Sequence, residues 1–283
     1  MFVLSYTQAA FLGLLQGVTE LFPISSLGHS VLLPHILGWN INLEDPQFLS
    51  FLVLTHLATA LVLLGFFWRD WLNIILGVLR SLFARKIDSD DVYARLGWLL
   101  LVSTIPAGLL GLLFEKKVQA LFGATAIIAG ALFLNGIALY VGELLRRRAE
   151  EGKADDTKIA GLSWANALFI GVAQCFALVP GFSRTGFTIS GGLLVGLSHE
   201  NAARYSFLMA TPIILAAAVL KVPHLFSEGA PLLGQAIVGA FCSGAAAYIS
   251  IRFLLKYFET KTLTPFAIYC MCAGAVSLLL FAQ

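Results

Sequence analysis

Apolar residues in this chain run in blocks, longer than a surface strand or the one-sided stripe of a soluble helix would produce. Six runs reach about the 20 residues that a helix needs to cross a bilayer: Phe48–Trp68, Leu96–Phe114, Ala120–Val141, Tyr205–Val222, Leu232–Leu255 and Leu263–Phe281. Two of them hold an internal proline, Pro106 and Pro212; lipid-embedded helices tolerate this where neighbours satisfy the freed backbone groups. Two further apolar regions do not fit as spans. Gln8–Phe22 stops at Pro23-Ile-Ser-Ser-Leu-Gly and is followed at once by Val31–Leu37, which contains Pro34. Ala165–Val179 stops at Pro180-Gly and is followed by Thr188–Leu197. Each pair reads as a helix that enters the membrane, breaks and returns. Such a break survives at membrane depth only where protein or a wet cavity covers the backbone.

The two breaks are copies of each other. A shift of 158 positions lays Gly13 on Gly171, Gln16 on Gln174, Ser25 on Ser183, Ser26 on Arg184 and Gly28 on Gly186. The likeness continues beyond them, Ser50-Phe-Leu-Val-Leu-Thr-His56 against Ser206-Phe-Leu-Met-Ala-Thr-Pro212. The expected fold is therefore an all-α polytopic membrane protein built as an inverted repeat. Each half holds a re-entrant helix pair plus three transmembrane helices, an odd number that turns the halves over relative to each other. Residues 1–145 form the first repeat, 146–160 a cytoplasmic linker and 161–283 the second repeat.

Composition agrees with this pattern: 59% of the 283 residues are hydrophobic and 12% charged, against about 25% charged in soluble domains. A soluble enzyme is excluded. The net charge of +2 says little as a total, but its distribution orients the chain. Under this topology three Lys or Arg fall on the side of the termini and fourteen on the other, Arg184 set aside. Cytoplasmic loops carry the basic excess, so segments 80–91 and 146–158 are expected in the cytoplasm and both termini in the periplasm. Trp68, Trp71, Trp98 and Trp164 sit near expected span ends, as an interfacial aromatic belt requires. The first residues lack a basic n-region, so no cleaved signal is expected. The four cysteines lie in apolar stretches and read as small buried hydrophobes.

Charged groups inside lipid are costly and usually functional. Gln16 and Glu20 are four apart and share a helix face, which aims a carboxylate toward the first break as a metal ligand or an acid–base group. Ser25 and Ser26 stand where the returning helix starts; they can cap it, and its free N–H groups suit a phosphate. Ser26 is a candidate nucleophile if a base lies near, and His29 can reach back toward it. In the second break Ser183 caps the returning helix, Gly186 lets backbone approach a ligand, and Thr185 and Thr188 add hydroxyls. Arg184 offers a planar fork of donors matched to phosphate oxygens. His35, His56, His199 and His224 have no assignable partner and read as structural or interfacial. Together the two helix starts describe a site near the bilayer centre for a phosphate or diphosphate attached to something that lives in the membrane.

These motifs resemble those of the undecaprenyl-diphosphate phosphatases, the integral-membrane family linked to bacitracin resistance. The family's (Glu/Gln)-x-x-x-Glu and Pro-x-Ser-Ser-x-Gly-His appear as Gln16–Glu20 and Pro23–His29. Its Pro-Gly-x-Ser-Arg-Ser/Thr-Gly-x-Thr appears as Pro180–Thr188, and Thr264-Pro-Phe-Ala-Ile-Tyr269 is also similar. The resemblance covers essentially the whole chain. It implies removal of the terminal phosphate from an isoprenyl (C55) diphosphate lipid, which recycles the carrier for peptidoglycan, with a divalent cation, Mg²⁺ or Ca²⁺. The site would open to the periplasmic face of the bacterial inner membrane. Glu20 would hold the metal, with Gln16 a candidate second ligand, or assist proton transfer; Gln16 departs from members with glutamate there. Ser26 would be nucleophile or phosphate ligand, His29 the base or an alternative nucleophile, and Arg184 the phosphate clamp. Ser25, Ser183, Thr185, Gly186 and Thr188 would line the phosphate site. The expected partners are that lipid and the bilayer, with a possible homodimer and no nucleic acid. A flippase for a phosphorylated isoprenoid, alone or combined with hydrolysis, stays open beside the phosphatase.

Overall fold

The structure, a computed structural model, describes residues 4–39, 41, 45–146, 155–227 and 233–281. Among them the chain is all-helical. It runs through α1 (Tyr6–Thr19), α2 (Ser26–Ile36), α3 (Pro46–Phe66), α4 (Trp68–Ala84), α5 (Val92–Leu113), α6 (Glu115–Ala120) and α7 (Thr125–Leu145). After 147–154, the middle of the expected linker, which lies outside the described residues, follow α8 (Asp156–Ala160) and α9 (Trp164–Gln174). A 3-10 turn over Cys175–Leu178 leads to α10 (Arg184–Leu194), α11 (His199–Ser227), α12 (Leu233–Phe258) and α13 (Thr264–Phe281). Six of these, α3, α5, α7, α11, α12 and α13, are long and apolar enough to cross a membrane. The chain is an all-α polytopic membrane protein.

Local chemistry sets the short elements. The Ser5 hydroxyl accepts from the Gln8 N–H while the Gln8 side chain accepts from the Ser5 N–H, a reciprocal box that starts α1. Asp45 caps α3 ahead of Pro46 at its first position, where a missing N–H costs nothing. The third expected span begins later than read, at Thr125, because residues 121–124 form a turn that buries Phe122. α4 has no counterpart among the expected elements. Arg69, Asp70 and Arg80 break its apolar run, but Ile74, Gly77 and Ser81 recur at helical spacing and form its buried stripe against α5. Arg204 of α11 ties this end together through Asp70 (3.0 Å) and Asp156 (2.8 Å).

Close packing brings the short helices in. α1 lies along α12, and α9 lies along α5. A Cβ on Gly17 would collide with the Ser243 carbonyl oxygen, and one on Gly171 with that of Ser103; small residues at these crossings let the backbones touch. α7 packs along α13; α7 reaches both breaks through Asn135, and α13 reaches the first through Tyr269 and Cys270.

Candidate active site

Glu20, the residue that ends α1, is the hub of the centre. Four side chains reach its carboxylate, which is buried. Gln16 Nε2 donates to Oε2 at 3.0 Å from one turn back, and Ser26 Oγ donates to the same oxygen at 2.6 Å. His56 Nε2, from α3, lies 3.2 Å from Oε2. Arg184 Nη2 donates to Oε1 at 2.7 Å across 164 positions of chain. A buried carboxylate persists only when paired and hydrogen-bonded, and this one has both an arginine and a histidine. Its backbone carbonyl takes the Thr185 hydroxyl at 2.9 Å. Glu20 thus joins the first break to the second.

The serine turn is strained. Ser25 sits at φ 71°, ψ 100°, left-handed backbone that a non-glycine residue holds at a cost of about 1–3 kcal/mol and chiefly at functional sites. Its hydroxyl accepts from the Gly28 N–H at 3.2 Å and so caps α2. Its carbonyl lies 2.7 Å from His29 Nδ1. His29 Nε2 in turn lies 2.7 Å from the Tyr269 hydroxyl, and the two rings stack at 5.6 Å. The expected pairing of Ser26 with His29 is therefore not formed: both ring nitrogens are occupied elsewhere, and the group that receives the Ser26 hydroxyl is Glu20. On the other side Ser183 starts α10 in ordinary extended backbone, its hydroxyl accepting from the Gly186 N–H at 3.1 Å. Asn135, fully buried in α7, spans the two breaks: Nδ2 donates to the Pro23 carbonyl at 3.1 Å, and Oδ1 accepts from the Ser183 N–H at 2.9 Å.

A cavity of about 580 Å³ opens beside this cluster. Its polar end carries Glu20, Ser25, Ser26, His56, Ser183 and Arg184, while Leu49, Leu52, Val53, Ile213 and Ile214 line the apolar remainder. A mostly apolar pocket that also carries an arginine, a carboxylate and hydroxyls suits an amphiphile with an anionic head. A family profile described as bacitracin resistance protein BacA matches residues 9–276. The chain belongs to the BacA family. A relative named undecaprenyl-diphosphatase from Mycolicibacterium paratuberculosis is 48% identical over 301 residues, covering 99% of this chain and 98% of its own. Undecaprenyl-diphosphatase 2 of Frankia alni is 42% identical over 342 residues, with 99% and 98% covered. Undecaprenyl-diphosphatase 1 of Burkholderia pseudomallei is 44% identical over 265 residues, with 93% and 92% covered.

In this BacA-family protein Glu20, Ser26 and Arg184 meet, Gln16 supports Glu20, and Ser25 and Ser183 stand on the cavity wall. Three residues expected at the phosphate serve the fold instead. Thr185 bonds the Glu20 carbonyl, and Thr188 spends its hydroxyl on the Arg184 carbonyl (2.9 Å) and Ser206 (2.6 Å). Gly186 leaves room for Leu139. None of the three lines the cavity: Thr185 turns to the end of α1, Thr188 to α10 and α11, and Gly186 packs against α7. Sequence reasoning missed His56, Tyr269 and Asn135. His56 left one signal, a histidine where the matching segment has Pro212.

Magnesium is typically held by one or two carboxylates plus substrate phosphates. Glu20 is the carboxylate on the cavity, and no cluster of three or more His, Cys, Asp or Glu able to hold a metal occurs among the described residues. Gln16 Oε1 is buried without a partner next to Glu20, an oxygen suited to a hard cation. A cation arriving with a phosphate would meet Glu20, with Gln16 buried directly behind it; the two residues do not form a cage of their own.

Proposed function

We propose that this protein hydrolyses undecaprenyl diphosphate to undecaprenyl phosphate and inorganic phosphate, recycling the carrier lipid for peptidoglycan synthesis and so conferring bacitracin resistance. The observation that carries this reading is the Ser26 hydroxyl 2.6 Å from a carboxylate whose other oxygen holds Arg184, on the wall of a mostly apolar cavity. The names of the relatives supply the substrate class.

The chain's own groups suffice to outline the reaction. The isoprenoid lies along the apolar wall and the diphosphate at the polar end. Arg184 has Nη1 buried and unpartnered while Nη2 holds Glu20, so Nη1 is free to take a terminal phosphate oxygen. Ser26 attacks the terminal phosphorus as Glu20 takes its proton; the bond from phosphorus to the bridging oxygen breaks, and isoprenyl phosphate leaves with the electron pair. Water then cleaves the phosphoserine, Glu20 returning the proton to Ser26. His29 holds the Ser25 carbonyl and with it the strained turn that presents Ser26. A divalent cation, if bound, would be held by Glu20 with Gln16 behind it and would supply charge neutralisation at the phosphate.

Detergent-purified protein should release phosphate from C55 diphosphate in the presence of Mg²⁺ or Ca²⁺ and lose that release in excess chelator. Undiminished turnover with chelator would remove the cation from the scheme. Lipid flipping in liposomes with no phosphate release under any cation would make the protein a flippase.

The architecture that supports this site is an inverted repeat of a re-entrant pair plus three spans, with 146–160 as cytoplasmic linker. The parallel contacts of α1 on α12 and α9 on α5 agree with it. Both termini then face the periplasm, as does the mouth of the cavity. Single cysteines in 80–91, in a background freed of native cysteines, should resist an impermeant thiol reagent in intact cells; ready labelling would invert the topology.

A further inference from the structure

Gln174 lines the same cavity at 2% exposure, and neither its amide nitrogen nor its amide oxygen has a hydrogen-bond partner among the described residues. Buried polar atoms are nearly always paired, because leaving them unmet forfeits their hydration for nothing. The first half shows what this position does when it has a protein partner: Gln16, its equivalent under the 158-residue shift, donates to Glu20. In the second half the residue at the place of Glu20 is Leu178, and the helix tightens into a 3-10 turn straight after Gln174. The carboxylate is gone and the amide stays in the cavity lining, with neither end partnered among the described residues.

Its neighbours on the wall fix which part of the ligand it meets. Ala177, Leu178 and Phe182 are apolar and stand between Gln174 and Arg184 along the same stretch of chain, and the attacking group, Ser26, comes from the other break. The terminal phosphate must face Ser26 and Arg184, so the phosphate that bears the isoprenoid is the one left for the Gln174 side. We infer that Gln174 is the subsite for that lipid-linked phosphate: Nε2 donates to one of its non-bridging oxygens, and Oε1 accepts from water that enters with the headgroup. This rests on the diphosphatase reading. The contact persists after cleavage, because the phosphate it holds leaves with the lipid. Gln174 thus sets affinity for substrate and for one product, and not for the other.

The two products separate this role from a structural one. Inhibition of the purified protein is measured with isoprenyl monophosphate and with inorganic phosphate, for the native protein and for Gln174→Leu. The variant should raise the inhibition constant of the isoprenyl monophosphate about tenfold or more, the usual effect of losing a hydrogen bond to a charged group, with KM for the diphosphate rising in step. Inorganic phosphate should inhibit as before. Gln174→Glu, nearly the same shape, should weaken the lipid product further by charge repulsion, and it carries the test if the leucine variant fails to fold. An unchanged constant for the lipid phosphate, or equal rises for both products, overturns the assignment. A native protein that releases no phosphate from the diphosphate overturns the diphosphatase reading itself, and this subsite with it.

Discussion

Glu20→Gln should reduce phosphate release by about a thousandfold, within the span that a positioned proton acceptor contributes. The substitution keeps the shape of the side chain and removes the two things the site uses. The amide cannot take the proton of Ser26, which the carboxylate meets at 2.6 Å, and it cannot balance Arg184 at 2.7 Å. The second loss also touches the fold. Removing one partner of a buried ion pair typically costs about 3–5 kcal/mol, so the variant should unfold at lower temperature in detergent. Glu20→Asp separates the effects. It retains the charge near Arg184 but draws the carboxylate back by one methylene from Ser26 and His56, so it should keep most of the stability and still lose most of the turnover. Near-native turnover by Glu20→Gln would show that the carboxylate is an ion-pair anchor and takes no part in the chemistry.

How much of this centre could be read from the chain alone depends on whether an interaction is local. Glu20 and Gln16 are one helical turn apart, and Ser25, Ser26 and Gly28 follow a proline, so spacing alone brought them to notice. The second break repeats that pattern, and the repeat itself matches Arg184 to Ser26. His56, Asn135 and Tyr269 sit within spans whose periodicity assigns them no role. What gives them a role is a partner 36 positions away for His56, 112 and 48 for Asn135, and 240 for Tyr269. Such pairings follow from how helices pack, which local pattern does not specify. The same limit explains His29. Three residues from Ser26 on a helix, it has the reach to act on it, but Tyr269 arrives from α13 and holds the ring elsewhere. α4 was overlooked for another reason. A search for long uninterrupted apolar runs passes over a helix whose apolar and basic residues alternate at helical period, although that period is itself a helical signal.

Ser26→Ala should be the other large loss, about a hundredfold or more, because the mechanism then lacks its nucleophile. The expectation rests on two contacts. Ser26 Oγ is already hydrogen-bonded to the group that would take its proton, and it stands one residue past the strained Ser25, where the first turn of α2 leaves N–H groups free for a phosphate. His29, the rival nucleophile, has Nδ1 on the Ser25 carbonyl and Nε2 on Tyr269, and would have to give up one of these to reach phosphorus. Rapid quenching during turnover of labelled diphosphate distinguishes them. An acid-stable, base-labile phosphoserine, absent in Ser26→Ala, is the expected adduct. An acid-labile, base-stable adduct that vanishes in His29→Ala would transfer the role to histidine. If no adduct accumulates and Ser26→Ala retains substantial turnover, the attacking group is a water activated by Glu20, and the hydroxyl of Ser26 serves to hold that carboxylate in place.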